Sequence, residues 1–279
     1  MTPLLTQADK AALFRGLHYS GKLLVLPNIW DPLSALLLEQ IGFKAVATAN
    51  AAVAYANGYP DGERFPLKQA LILSEQLVCA VNIPVSVDIE CGYSLEEDTF
   101  KSTIRALLQT GIVGINLEDS NPRTGTLLPI PQQVSRIQYI KEISTEMDIP
   151  LFINARTDVY KQGQTQAVSE QLAETLRRGQ AYREAGADCI YPILLKDERT
   201  IQTLVKTLHM PVNILLTVGV PDINTLQQIG VARVSTGPAF LGVALKALAE
   251  VGALLNQEKG FERLISDAES LKNLPPALM

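Results

Sequence analysis

The 279-residue sequence has few cysteines and histidines, and each shortage narrows the class of protein. Three cysteines, scattered through apolar surroundings, argue against a disulfide framework and favour a reducing compartment. Two histidines leave little material for a histidine-ligated metal site. No charge-free run reaches the length of a membrane span, and the N-terminus lacks a basic start followed by an apolar run. We therefore predict a cytoplasmic protein without a membrane partner.

Charge is also sparse, and its balance is acidic. Charged residues make up 19% of the chain, the net charge is −5 and the pI is about 5.2, which argues against nucleic acid as a partner. A hydrophobic content of 47% predicts a globular protein with a large core. A small anionic substrate would need local positive groups or a metal to offset the acidic field.

What the sequence does contain is a regular alternation of short apolar runs and amphipathic segments. Eight such units follow a lead-in helix over 6–19, and they predict an α/β fold, a single (β/α)8 TIM-type barrel over residues 1–255. Its helices are expected at 32–40, 67–80, 95–110, 132–146, 165–185, 197–208 and 222–229, and its last long helix over 238–255. Residues 256–279 are expected to form a helical extension or tail, with Phe261, Leu264, Ile265 and Leu271 facing a neighbour. The strands are predicted at 23–28, 43–49, 84–89, 111–117, 150–155, 188–193, 211–216 and 231–235.

Two acids end the third predicted strand. Asp88 and Glu90 lie two residues apart, so their side chains share one face. Paired carboxylates repel each other unless a cation or a proton lies between them, and a hard divalent metal is the usual solution. An ordinary pair of surface acids is the alternative.

Polar side chains also follow the other strands, at the end of a barrel where catalysis occurs. Glu118 ends strand four and Arg156 ends strand five. We interpret Asp88, Glu90 and Glu118 as an oxygen-rich site for Mg²⁺, or for Mn²⁺ in its place, that keeps several waters. The planar guanidinium of Arg156 can hold a carboxylate with two bonds. A metal beside an arginine suits a 2-oxo acid or its enolate.

Six short motifs stand out along the chain: Pro-Asn-Ile-Trp-Asp at 27–31, Gly-Tyr-Pro-Asp-Gly at 58–62, Val-Asp-Ile-Glu-Cys-Gly-Tyr at 87–93, Gly-Ile-Asn-Leu-Glu-Asp at 114–119, Asn-Ala-Arg-Thr-Asp at 154–158 and Pro-Val-Asn at 211–213. In this order and spacing, they resemble the isocitrate lyase / phosphoenolpyruvate mutase superfamily from about residue 15 to 255. The resemblance implies a barrel whose last helix is swapped onto a partner subunit, a homotetramer built as a dimer of dimers, and a magnesium-dependent enolpyruvate-type intermediate.

The resemblance also implies roles for single residues. Asp88 would be the main metal ligand, with Glu90 and Glu118 acting through water, and Glu118 is also a candidate catalytic group. Arg156 would hold the substrate carboxylate, and Asp61 would face the reacting end of the substrate. Ala49 replaces the family's serine, so Asn50 and the backbone at Ala51 would have to hold the other carboxylate. The remaining candidate substrate contacts are Trp30, Asp31, Arg123 and Asn213.

The loop at 121–127 departs from the family pattern. It lacks the Lys-Lys/Arg-Cys-Gly-His run of the isocitrate and methylisocitrate lyases, so those two activities are not expected. It also lacks the lysine and asparagine of the phosphonate enzymes, and Arg123 is its one cation. Cys91 is expected to be structural.

Three functions therefore stay open. We favour a magnesium-dependent carbon–carbon lyase or decarboxylase acting on a small 2-oxo or 2-hydroxy di- or tricarboxylate. Carbon–phosphorus chemistry, as in a phosphonomutase or a phosphonopyruvate hydrolase, and a non-catalytic binder of magnesium and carboxylate are the alternatives. An aldolase-like barrel would need histidine ligands, but we expect His18 to be a solvated helix end and His209 to lie at the opposite end of the barrel. Arg233 is expected to be a structural ion-pair partner, with a role in the site as the alternative.

Overall fold

The strands of the computed structural model, which describes residues 5–163 and 167–274, form a closed parallel barrel. Hydrogen bonds join β2 through β7 in sequence order and join β1, β9 and β8, and a bridge between Ile190 and Val212 connects the two groups. Pro27, which has no N–H to donate, separates β1 from β2, so these two segments fill one strand position out of eight. The (β/α)8 prediction is confirmed. The strands are β1 Leu24–Leu26, β2 Asn28–Ile29, β3 Val46–Thr48, β4 Val85–Asp88, β5 Gly114–Glu118, β6 Phe152–Thr157, β7 Cys189–Pro192, β8 Asn213–Leu215 and β9 Arg233–Ser235.

Helices surround this barrel, and their positions agree closely with those predicted from the spacing of apolar residues. Two short helices, α3 and α7, directly follow β3 and β6 and were not predicted. The expected start of a helix at 165 lies outside the described residues. The helices are α1 Gln7–His18, α2 Pro32–Ile41, α3 Asn50–Ala56, α4 Leu67–Ala80, α5 Glu97–Gln109, α6 Ile130–Glu146, α7 Val159–Gln162, α8 Val168–Ala185, α9 Glu198–Leu208, α10 Ile223–Gln228, α11 Ala239–Leu255 and α12 Phe261–Ala268, followed by a 3-10 turn at Glu269–Asn273.

Helix α1 covers the end of the barrel where the strands begin. Phe14 packs edge-on against Phe152 at the start of β6, with their ring centroids 5.3 Å apart. The expectation that His18 is solvated is wrong: the residue is 4% exposed, and its ring stacks on that of Phe152 with the centroids 4.1 Å apart. The inward face of α1 buries this residue because the helix lies across the opening of the barrel.

The last two helices have little of the chain to pack against. α11 is strongly apolar, yet only Leu241 and Val251 are buried, and Leu248 is 71% exposed. In α12 no residue is buried, and Phe261 and Ile265 are exposed. The side chain of Leu271 and residues 275–279 lie outside the described part of the chain. Within the described ranges, no helix combines the length and the apolar character needed to cross a bilayer.

Candidate active site

One cavity opens where the strands end, and it brings together six of the predicted site residues. Its volume is about 620 Å³, including the part open to solvent. The six predicted residues that line it are Asn50, Ala51, Asp61, Asp88, Glu118 and Arg156. A neighbouring cleft shares Asp61, Glu118 and Arg156 and adds Glu90. The structure therefore brings these predicted residues together at the end of the barrel where the strands end.

Asp88, the last residue of β4, is held by its neighbours on both sides. Its Oδ1 accepts a hydrogen bond from Asn116 Nδ2 at 2.9 Å and one from the backbone N–H of Glu90 at 3.0 Å. Its own N–H donates to Thr48 Oγ1 at 2.8 Å. These bonds fix the direction in which the carboxylate points into the cavity before any ligand arrives.

Glu90 lies just beyond the strand, in the left-handed backbone region with φ 48°. This conformation turns its buried side chain towards Asn50, whose Nδ2 donates to Glu90 Oε1. Burial, and then the negative charges of Asp88 and Asp61, raise the pKa of Glu90 to about 8. Glu90 therefore holds a proton at neutral pH unless a cation compensates its charge.

The guanidinium of Arg156 is shared by two acids. Its Nη1 donates to Glu118 Oε1 at 2.5 Å and its Nε donates to Asp158 Oδ1 at 2.7 Å, which leaves Nη2 for a ligand. Arg156 and a second hydrogen bond, from Ser120, keep the pKa of Asp158 below its usual range. Burial and the neighbouring acids outweigh Arg156 at Glu118 and raise the pKa of that carboxyl. The single positive charge of Arg156 is therefore shared between two carboxyls whose pKa values are shifted in opposite directions.

Asp119 follows Glu118 but points away from the cavity. Its Oδ2 accepts hydrogen bonds from Arg178 Nη1 at 3.0 Å and from the Tyr182 hydroxyl at 2.8 Å, and its Oδ1 accepts from the backbone N–H of Asp158. This fully buried network joins β5, β6 and α8. Asp119 thus fixes the strand ends that carry Glu118 and Arg156.

The donor set fits a hard cation that keeps most of its water. Among the described residues, no three acidic, histidine or cysteine side chains converge as a ready-made metal cluster. Burial raises the pKa values of Glu90 and Glu118, and the negative charge of Asp88 raises both further, a repulsion that a divalent cation would relieve. An oxygen-only set with one direct ligand and water-mediated contacts is typical of Mg²⁺.

Four predicted substrate contacts lie outside the cavity lining. Trp30 packs with Ala49, Ala52 and Leu241, and the Asp31 side chain caps α2 by accepting from the Ser34 N–H at 2.7 Å. Arg123 is exposed on its loop, and Asn213 is completely buried within the barrel.

Arg233 differs most from its expected role. The ion-pair prediction is wrong, since Arg233 has no acidic partner within salt-bridge distance among residues 5–163 and 167–274. It lines the cavity together with Ser235, whose Oγ accepts from Arg233 Nε at 2.9 Å. The sequence did contain a signal for this position: Arg233 and Ser235 lie on either side of Val234, and residues two apart on a strand share a face.

The remaining polar or reactive residues behave as the sequence indicated. Cys91 is buried and its carbonyl accepts from Arg136, while burial raises the pKa of its thiol to about 12, so it is structural. All three cysteines are free. His209 is exposed at the end of α9, on the side of the barrel where the strands begin.

A closed parallel barrel with acids and an arginine gathered at the carboxyl ends of its strands defines a class, the (β/α)8-barrel enzymes. Within that class the chain belongs to the phosphoenolpyruvate phosphomutase family, whose model matches residues 14–255. It is thus an enzyme of the isocitrate lyase / phosphoenolpyruvate mutase superfamily, as the motifs indicated.

Individual relatives carry different names. An uncharacterized protein of Mycobacterium tuberculosis strain H37Rv is 34% identical over 94% of this chain and 92% of its own length. The 2-methylisocitrate lyase of Bacillus subtilis strain 168 is 28% identical over 74% of this chain and 67% of its own. A solved structure from Burkholderia cenocepacia J2315, provisionally named a phosphonomutase, is 37% identical with a TM-score of 0.84, covering 88% of this chain and 99% of that one.

Proposed function

We propose that the protein is a magnesium-dependent carbon–carbon lyase or decarboxylase acting on a small 2-oxo or 2-hydroxy di- or tricarboxylate. The observation that carries this proposal is a half-buried arginine, Arg156, in one cavity with Asp88 and Glu118. The arginine can bind a carboxylate, and a divalent cation held by the acids would compensate negative charge that develops on an adjacent oxygen.

Each residue has a defined task in this proposal. Asp88 would hold Mg²⁺, or Mn²⁺ in its place, with Glu90 and Glu118 acting through water. The metal, when bound, supplies neutralisation of charge at the carbonyl oxygen. Arg156 would bind a substrate carboxylate through Nη2, held in place by its two acids. Asp61, exposed at the rim of the cavity, would exchange protons with solvent.

Asn50 and Ala51 would orient the substrate at the other side of the cavity. They begin α3, which Ala49 precedes without a side-chain cap, so the backbone N–H groups of its first turn have no capping side chain. Trp30 and Asp31 would support this wall from behind, and Asn213 would support Ser235. Arg123 is the remaining candidate substrate contact, and its positive charge would reach the substrate only if the loop at 121–127 moves inward.

Carbon–phosphorus chemistry is the second candidate, favoured by the 37% identity to the provisionally named phosphonomutase. The loop at 121–127, without a lysine, argues against it. A binder that retains the metal and carboxylate site without turnover is the third candidate.

The test is a coupled pyruvate-release assay with Mg²⁺ over oxaloacetate, substituted malates, methylisocitrate and phosphonopyruvate. Turnover of one carboxylate substrate by the wild type, lost in Asp88→Asn, supports the proposal. The matched control is Asp148→Asn, which alters an exposed acid in the turn before β6 and should keep full activity. Release from phosphonopyruvate alone would replace the proposal with the second candidate. Magnesium-dependent binding of oxalate without any turnover would favour the third.

We further propose that the chain forms a homotetramer, a dimer of dimers in which α11 packs on a partner subunit, in the reducing cytoplasm. The apolar, largely exposed surface of α11 supports the assembly, and three free cysteines support the location. The barrel over 1–255 and the extension over 256–279 would then be one unit completed by the partner. Sedimentation analysis tests the assembly directly.

A further inference from the structure

Two buried nitrogen donors on adjacent strands have nothing to donate to. Arg233 on β9 pairs in register with Asn213 on β8. Arg233 is 2% exposed and Asn213 is completely buried. Neither Arg233 Nη1 nor Asn213 Nδ2 has a hydrogen-bond partner in the described part of the chain. Buried donors are nearly always satisfied, so each of these two needs an acceptor.

A chain of hydrogen bonds fixes the orientation of both groups. Arg233 Nε donates to Ser235 Oγ at 2.9 Å, and Ser235 Oγ donates to Asn213 Oδ1 at 3.1 Å. Because Nε and Oδ1 are already used, the remaining nitrogens are the atoms left for another partner. Arg233 and Ser235 line the same cavity as Arg156 and Asp88.

The other arginines of the barrel show how unusual Arg233 is. Half-buried Arg156 pairs with two acids, and buried Arg178 pairs with Asp119 and Glu174. Buried Arg136 donates to two backbone carbonyls. Among the residues that the structure describes, the guanidinium of Arg233 donates only to a hydroxyl, although a guanidinium stays charged even when buried. An unpaired buried charge is costly, so a site that retains one is arranged to receive an anion.

We propose that Arg233 forms a second anion subsite in the wall of the cavity, which binds the carboxylate of the substrate that lies farthest from the one held by Arg156. The inference rests on the proposed function and sharpens it: the enzyme selects a dianion over the monoanion that lacks the distal carboxylate. The shared chemistry is a small oxyanion, so a phosphonate could occupy the same subsite.

The test compares ligands that differ only in the distal group. Affinities for malate, lactate and 3-phosphonolactate are measured by titration calorimetry with Mg²⁺, and oxalate reports on the metal and Arg156 alone. The wild type should bind malate at least tenfold more tightly than lactate. In Arg233→Met this ratio should fall to near one, with a much smaller change for oxalate. Arg233→Lys, which keeps the charge, should give an intermediate ratio.

The controls separate this inference from the proposed function. Arg105→Met removes an exposed positive charge and should keep the wild-type ratio. If the wild type does not bind oxalate in the presence of Mg²⁺, the proposed function itself is refuted. Normal oxalate binding with equal affinities for malate and lactate would overturn the second subsite alone, as would an unchanged ratio in Arg233→Met. A preference for 3-phosphonolactate that disappears in Arg233→Met would keep the subsite and assign it to a phosphonate.

Discussion

Acidification should destabilise this protein through His18, which is buried as a neutral ring. Its Nδ1 lies 2.8 Å from the Phe14 carbonyl oxygen, to which it donates, so the proton of the neutral ring is on that nitrogen. Nε2 is buried and has no partner among the described residues. Burial, and then the positive charge of Arg233, lower the pKa of His18 to about 3. A second proton on the ring would meet neither water nor an acceptor.

The size and sign of the effect follow from this shift. In the unfolded chain His18 binds a proton near the ordinary histidine pKa of 6.5, whereas in the folded chain its pKa is about 3. The contribution of His18 to the free energy of unfolding is therefore fully present above pH 6.5. It falls as the pH decreases towards 3, by about 1.4 kcal/mol per pH unit within that window. Between pH 7 and pH 5 the loss from this residue is roughly 2 kcal/mol.

Urea unfolding at pH 7 and pH 5, at one protein concentration, measures the difference. His18→Gln should lose about 2 kcal/mol less than the wild type between the two pH values. Other titrating groups are common to both proteins and cancel. His209→Asn, which alters the exposed histidine at a left-handed position, should behave like the wild type. Equal losses in the wild type and in His18→Gln would refute the buried neutral ring.

Four further results are expected. Gly92→Ala should destabilise the protein by about 2–3 kcal/mol in urea unfolding, because φ is 83° and the added Cβ would lie 2.5 Å from the Phe100 ring; a smaller effect than 0.5 kcal/mol would contradict this. Asp119→Asn should cost about 2 kcal/mol in the same assay by weakening the buried charge-assisted hydrogen bond to Arg178, which keeps Glu174 as its other acidic partner, and a neutral result would exclude that role. Mg²⁺ should raise the melting temperature of the wild type but not of Asp88→Asn in scanning fluorimetry; equal shifts would mean that the metal binds elsewhere. Leu248→Glu should lower the sedimenting mass, since it adds a charge to the exposed face of α11, and an unchanged mass would place the contact on another surface.

The barrel could be predicted from the sequence because each unit carries its own periodicity. The helix at 67–80 was predicted to the residue, and its apolar positions recur at helical spacing. The short helix α3 was missed because a run of small residues such as Ala51 and Ala52 carries no such pattern. The first strand is divided at Pro27 because proline has no N–H to donate. The residues at which β1 and β2 stop pairing depend on their neighbours β9 and β3, which the local sequence does not reveal.

The candidate site was predictable only in part. Asp88, Glu118 and Arg156 come together because strand ends in a barrel converge whatever the loops do. The directions of the side chains could not be predicted from the sequence. Glu90 departs from the direction that strand alternation predicts because its backbone is left-handed, and this conformation is set by the turn after β4. What faces Arg233 across the barrel depends on residues far away in sequence, so a single strand could not reveal that no acid of the described residues lies within salt-bridge distance of it.

The loop at 121–127 bears on which reaction this site can perform. Cleavage that releases a carbanion, such as the reversal of an aldol addition, needs an acid over the leaving carbon, and this loop has no cysteine, histidine or lysine to supply it. Loss of CO₂ needs no acid at the leaving group, because the electron pair stays on the carbon beside the carbonyl. The proton that this carbon finally takes can come from solvent through an exposed acid such as Asp61, or from Glu118, whose pKa is raised. Within the proposed carbon–carbon chemistry, the described residues therefore favour decarboxylation over cleavage between two larger fragments.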